Sequence, residues 1–166
     1  ADSVHFVFTH GAPEYPELME CWHEGNRLRS TMAFKSPKTG QFALFNRGIK
    51  PNVGLSFTFF DGDNVHYRLI LTATPVDDET AHFRVSYFLP RDPKSRDVMP
   101  RKWRDFAAHA GELFEEDARI WRHQIFVQRP VYAQQDIKGY TMLRNWSERF
   151  YEGDPGASPT PFVETL

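Results

Sequence analysis

One carboxylate stands on the apolar side of the longest predicted helix. Asp117 lies four residues from both Leu113 and Trp121, so it shares their stripe at helical spacing. A carboxylate buried without a partner costs several kcal/mol, so its charge must be neutralised, ion-paired or bound to a cation. Two interpretations stay open. Asp117 meets an arginine of the sheet or lies at the wet margin of the stripe, or it is a metal ligand.

Two histidines close to the start of the chain supply a second candidate. His5 and His10 stand five residues apart, which on a regular helix separates their side chains by about 140°. They can share one ion only if the helix unwinds before His10, and Gly11 offers a place for that. Two histidines and one carboxylate with open positions form the facial site of oxygen-activating Fe(II) proteins. The spacing alone is also compatible with two surface histidines beside an aromatic patch.

The elements that must position these residues form a run of short strands followed by helices. The opening segment from Asp2 to His10 stops at Gly11-Ala12-Pro13. The predicted strands are Leu28–Phe34, Phe42–Phe45, Val53–Phe60, Val65–Thr74 and Ala81–Leu89, with a turn at Lys50-Pro51-Asn52. Helices are predicted from about Pro100 to Ile125 and from Gln135 to Tyr151. This pattern predicts an α+β helix-grip fold (START/Bet v1-like), in which a curved antiparallel sheet wraps around a long C-terminal helix.

Composition narrows the class of protein. A chain of 166 residues suits one domain, and 20 basic against 22 acidic residues argue against nucleic acid as a partner. Cys21 is the single cysteine, which excludes an internal disulfide and any Cys-rich metal site. A reducing, cytoplasmic setting is therefore expected. No apolar run approaches the roughly 20 residues that a membrane span needs.

The remaining aromatic and imidazole side chains have simpler interpretations. Phe57, Phe59 and Phe60 are interpreted as core residues rather than as the wall of a pocket. The other histidines have no ligand-like spacing among themselves and are interpreted as surface or hydrogen-bonding residues; they are His23, His66, His82, His109 and His123.

Taken together, the candidate ligands resemble a known family. Asp2-x-x-His5-x-x-x-x-His10 is similar to the D-x-x-H-x-x-x-x-H element of Rieske non-haem iron oxygenases, in which an aspartate on a later helix completes the iron site. Asp117 stands at such a place. The downstream pieces resemble the steroid-acting branch, which includes 3-ketosteroid 9α-hydroxylase oxygenases and cholesterol 7-desaturases; they are Glu116-Asp117-x-x-Ile120-Trp121-x-His123, Arg129-Pro130, Arg144-x-Trp146 and Phe150-Tyr151.

The resemblance implies a role for each residue. His5 and His10 would bind mononuclear Fe(II) through imidazole nitrogen, and Asp117 through its carboxylate. Asp2 would be the bridging aspartate, which hydrogen-bonds a ligating histidine and carries electrons from the cluster of a neighbouring subunit. A plain helix N-cap is the competing interpretation of Asp2. Because that bridge joins subunits, the resemblance implies a homotrimer.

The family's [2Fe-2S] Rieske cluster has no place in this chain, because it requires two cysteines and two histidines in paired motifs. We expect that cluster in a missing N-terminal domain or in a partner protein. Residues 1–152 are thus expected to be an N-terminally truncated catalytic iron-binding domain, and residues 153–166 a flexible tail. The fragment alone is expected to show little or no turnover.

The resemblance therefore predicts an oxygenase component. It would use O2 at Fe(II), with electrons from an NAD(P)H-dependent reductase through the cluster, to hydroxylate or desaturate a hydrophobic, steroid-like substrate. The alternative is a non-catalytic helix-grip module that binds a sterol or another apolar ligand. A zinc hydrolase that uses the same three residues is less favoured, because the sequence offers no evident general base near them.

Overall fold

The computed structural model describes residues 3–62, 66–91, 94, 97–125 and 127–151. Asp2 and the expected tail 153–166 lie outside the described residues. A short helix opens this part of the chain, six strands follow, and two helices come last. In chain order the elements are α1 Ser3–Phe8, β1 Glu17–Glu24, β2 Arg27–Lys35, β3 Phe42–Asn52, β4 Leu55–Gly62, β5 His66–Pro75, β6 Ala81–Phe88, α2 Arg101–Trp121 and α3 Ile137–Glu148.

The six strands form one antiparallel sheet in which every strand pairs with the next along the chain. The register aligns Thr31, Arg47, Phe59 and Arg68 across β2 to β5. Such a meander needs only short connections, which explains the regular spacing of turn residues in the sequence. The α+β helix-grip prediction is confirmed, and the helices lie against one face of the sheet.

Two strand predictions were wrong in detail. β1 was not predicted, because a register shift between Leu18 and Glu20 interrupts the alternation that marks a strand. Residues Lys50 to Asn52 belong to β3 rather than to a turn. The pairing with β4 is irregular between Ile49 and Asn52, which is a place where a strand accommodates a proline such as Pro51.

Alternation along the strands decides which side chains meet the helices. Phe60 stacks on Tyr67 with ring centroids 4.6 Å apart, and Tyr67 in turn contacts Phe106 of α2 at 4.8 Å. Phe60 therefore faces the helices, whereas Phe57 and Phe59 point to the opposite face. The three rings therefore do not form one cluster, because neighbours in a strand point to opposite faces; each of them is half-buried.

The face opposite the helices carries aromatic rings covered by arginines. The Arg47 guanidinium lies 5.8 Å from the centre of the Phe45 ring, and that of Arg68 lies 5.2 Å from the centre of the Phe59 ring. Arg29 covers Trp22 in the same way at 5.1 Å. Each pair combines a cation–π attraction with coverage of apolar surface.

A buried tryptophan anchors the last helix beside the sheet. The Trp146 side chain is 1% exposed, and its Nε1 donates a hydrogen bond to the Asn26 carbonyl at 3.1 Å. Phe150 packs on the same ring, with centroids 5.0 Å apart. The Arg144-x-Trp146 piece of the sequence pattern therefore includes an anchor for α3. Within the described ranges, no helix has the length and apolar character that crossing a bilayer requires.

We predict that Trp146→Ala lowers the free energy of unfolding by about 3–5 kcal/mol, because it leaves a large cavity and an unpaired Asn26 carbonyl. Chemical denaturation followed by circular dichroism measures the change. Val131→Ala is the control, since Val131 is 99% exposed and its loss is expected to cost no more than about 0.5 kcal/mol. A loss below about 1 kcal/mol for Trp146→Ala would contradict this account.

Candidate metal centre

The first histidine lies inside α1 and the second lies just beyond it. α1 ends at Phe8, and Gly11 adopts a left-handed conformation with φ of +63°, which glycine enters without steric cost. The Ala12 N–H closes the reversal by donating to the Phe6 carbonyl at 2.9 Å. His10 therefore lies outside the regular helix. This is the unwinding that His5 and His10, five residues apart, need in order to share one ion.

The structure brings His5, His10 and Asp117 together. Asp117 Oδ1 lies 2.7 Å from His5 Nε2 and 3.1 Å from His10 Nε2. The two Nε2 atoms are 2.9 Å apart. No arginine lies within ion-pair distance of Asp117 among the described residues, so the interpretation that pairs it with an arginine of the sheet finds no support there.

The three side chains are largely shielded from water, with 18%, 15% and 22% of His5, His10 and Asp117 exposed. Asp117 Oδ1 is fully shielded, yet within the described part of the chain neither imidazole offers it hydrogen-bond geometry. Two imidazole nitrogens and one carboxylate oxygen thus crowd a single point. A cation at that point would satisfy all three atoms at once.

The donor set also indicates a type of site. The separations of 2.7, 2.9 and 3.1 Å between the ligand atoms are short enough for one ion to contact all three. A structural zinc site needs four protein ligands, and the cluster has three among the described residues. Two histidines and one carboxylate are the ligands of the facial Fe(II) site and also of catalytic zinc sites.

Aromatic packing holds the histidine segment against the sheet. The Phe6 ring meets Phe34 of β2 edge to face at 5.1 Å, and it lies 6.2 and 6.0 Å from the imidazoles of His5 and His10. On the other side of the site, Glu116 Oε2 is 3.5 Å from His10 Nδ1. Phe6 therefore positions both imidazoles, and Glu116 places a second carboxylate beside the outer nitrogen of His10.

An aromatic wall flanks Asp117 on its own helix. Phe114 and Trp121 lie one turn before and after Asp117, and both contact Phe83 of β6, at 5.5 and 5.2 Å. Trp121 is 41% and Phe83 37% exposed. Open aromatic surface beside a polar centre is typical of a site for an apolar ligand.

Two tyrosines continue this surface toward β5. Tyr87 and Tyr67 both pack on Phe106 of α2, at 5.8 and 4.8 Å. Burial raises the pKa of the Tyr87 phenol, and the negative charge of Asp117 raises it further. Burial likewise raises the pKa of Tyr67, with a smaller contribution from Tyr87. Both hydroxyl groups therefore remain protonated at neutral pH and can donate hydrogen bonds.

The sequence analysis did not predict the aromatic residues of the site. Its interpretation of the remaining histidines as surface residues agrees with the structure for two of them. Phe114 could have been found, because it lies three residues before Asp117 on the same face. Phe83 and Tyr87 carried no comparable signal. Among the other histidines, His66 and His109 are each 65% exposed and pair with Asp61 and Glu112, as surface residues do.

We predict that the metal-free protein binds about one equivalent of Co(II), and that His5→Ala, His10→Ala and Asp117→Ala each weaken binding by at least about 100-fold. Loss of an outer-shell partner alone costs 10–100-fold. Titration followed by the visible spectrum of Co(II) measures the effect. His109→Ala is the matched control and should bind as the wild type does. Tight binding by Asp117→Ala would rule out the site.

Comparison with known proteins identifies the family of the chain. No curated protein matches the chain. The family model described as "3-Ketosteroid 9alpha-hydroxylase C-terminal domain" matches residues 1–151, a range that includes both histidines and the aspartate. The chain therefore belongs to the 3-ketosteroid 9α-hydroxylase C-terminal domain family, whose members are oxygenase domains of the Rieske type.

Proposed function

We propose that this domain holds one Fe(II) ion through His5, His10 and Asp117 and hydroxylates a steroid-like substrate with O2. The observation that carries the proposal is the convergence of three ligand atoms within 3.1 Å of one another. Bound Fe(II) would supply the open coordination positions and the redox chemistry that O2 activation requires. Hydroxylation is preferred to desaturation because the matching family model is named for a hydroxylase.

The protein's own part is to shape and shield the site. Asp117 contributes one negative charge, which offsets part of the charge of a divalent ion, while the two imidazoles bind as neutral ligands. The wall of Phe83, Phe114 and Trp121 offers flat apolar contact to a fused-ring substrate, and a bound substrate would cover it and exclude water from the side next to Asp117.

Electron delivery must come from outside this chain. With Cys21 as its single cysteine, the chain has no ligand set for a Rieske cluster. We propose that the cluster lies in a preceding domain or a partner protein, and that an NAD(P)H-dependent reductase supplies it. Asp2 would pass electrons from the cluster of a neighbouring subunit, and the resemblance to Rieske oxygenases supports a homotrimer. The single cysteine supports a reducing, cytoplasmic setting.

A test must therefore supply both oxygen and electrons. Hydrogen peroxide does so, because a substrate C–H bond and one H2O2 yield an alcohol and one water. We predict that the Fe(II)-loaded domain converts a 3-ketosteroid to a product one oxygen atom heavier, detected by mass spectrometry. NADH and O2 alone should give no product. Turnover under those conditions would contradict the expected need for an outside electron source.

The controls separate the enzyme from the alternative, a helix-grip module that binds an apolar ligand without chemistry. Asp117→Ala should abolish product formation, whereas His109→Ala should leave it unchanged. Equal product from Asp117→Ala and the wild type would reject the assigned site. Metal-free wild type that binds the steroid tightly, together with a loaded protein that forms no product, would favour the binding module.

A further inference from the structure

The helix that carries His5 is too short to hold itself in place. The described part of α1 has six residues, and a helical segment of this length is not stable alone in water, because nucleation costs more than one turn of hydrogen bonds returns. Its far end is fixed by the reversal at Gly11. Ser3, the first residue described in it, is 1% exposed, so its backbone N–H is shielded from water and needs a hydrogen-bond partner inside the protein.

An aspartate from the other end of the chain makes that contact. The Ser3 N–H donates to Asp136 Oδ1 at 2.9 Å, across 133 positions of sequence. Asp136 is 6% exposed and is the N-cap of α3. Its carbonyl accepts the Tyr140 N–H at 2.9 Å, but its side chain makes no capping bond to its own helix. The carboxylate instead caps α1, where a negative charge is favourable.

Side-chain packing does not replace this bond. A cavity of about 40 Å³ lies behind Ser3 and Asp136, and Leu18, Met32 and Lys50 also line it. The Ser3 hydroxyl is buried and has no hydrogen-bond partner among the described residues. Among the described residues, the backbone bond to Asp136 is therefore the directional contact at the beginning of α1.

We infer that Asp136 is a positioning residue for the metal centre. This inference rests on the proposed function, because it gives Asp136 the task of placing His5, two residues after Ser3, at 2.7 Å from Asp117 Oδ1. Without the carboxylate, the beginning of α1 loses its anchor, and the imidazole no longer holds its orientation toward Asp117. Asp136 acts through the backbone and touches no reacting atom.

The experiment compares three variants of the full chain. Asp136→Ala removes the acceptor, Asp136→Asn keeps an acceptor oxygen without charge, and Ser3→Ala keeps the N–H while removing the unpaired hydroxyl. Co(II) titration and the Co(II) visible spectrum report on the metal centre. Amide hydrogen exchange of the metal-free protein reports on residues 3–10 independently of any metal.

We expect Asp136→Ala to lower Co(II) affinity by about 10–100-fold and to alter the spectrum of the bound ion. Exchange should quicken in residues 3–10 and stay unchanged in β2 and β3. Asp136→Asn should stay within about threefold of the wild type, since neutral hydrogen bonds are weaker than charged ones but still directional. Ser3→Ala should match the wild type, and Trp146→Phe controls for a general loss of stability at α3.

Two results would overturn the inference. Unchanged exchange of residues 3–10 in Asp136→Ala would show that the bond does not anchor α1, whatever the metal does. Equal loss of affinity in Trp146→Phe and Asp136→Ala would show a general effect of stability. A wild-type protein that binds no Co(II) through His5 would reject the proposed function, and the exchange measurement would still decide whether Asp136 anchors α1.

Discussion

Two imidazole nitrogens and one carboxylate oxygen lie about one hydrogen-bond length apart, and the packing of the helices on the sheet holds them there. The polar atoms come from segments more than a hundred residues apart, yet they lie within 3.1 Å of one another. A cation between these atoms would satisfy all three of them at once. This convergence of ligand atoms is the basis of the proposed metal centre.

The sheet makes such closeness possible because it fixes the distance between its helices. β2 holds α1 through the contact of Phe34 with Phe6, and β6 holds α2 through the contact of Phe83 with Phe114. Between these strands the pairing is continuous from β2 to β6. Hydrogen-bonded strands keep a fixed spacing, so side chains from the two ends of the chain meet in a defined geometry.

Sequence patterns predicted features that depend on residues close together in the chain, but not the contacts between residues far apart in it. The placement of Asp117 among apolar residues and the helix stop at Gly11 are features of neighbouring residues, and helical periodicity reveals both. Pro51 led to the prediction of a turn, but it lies inside β3, where the irregular pairing with β4 accommodates a proline. The contacts of Phe83 and Asp136 join positions that no spacing rule connects, since only the folded sheet brings them near α2 and α1.

The arginine-covered face of the sheet has a consequence for how the protein behaves at high concentration. Rings such as Phe45 and Phe59 would by themselves form a flat, adhesive surface. The guanidinium groups of Arg47 and Arg68 lie over those rings and pair with Asp61 on the same face. Association of two such faces would take these charged groups out of water, which is unfavourable. This face and the candidate metal centre thus lie on opposite sides of the same six strands.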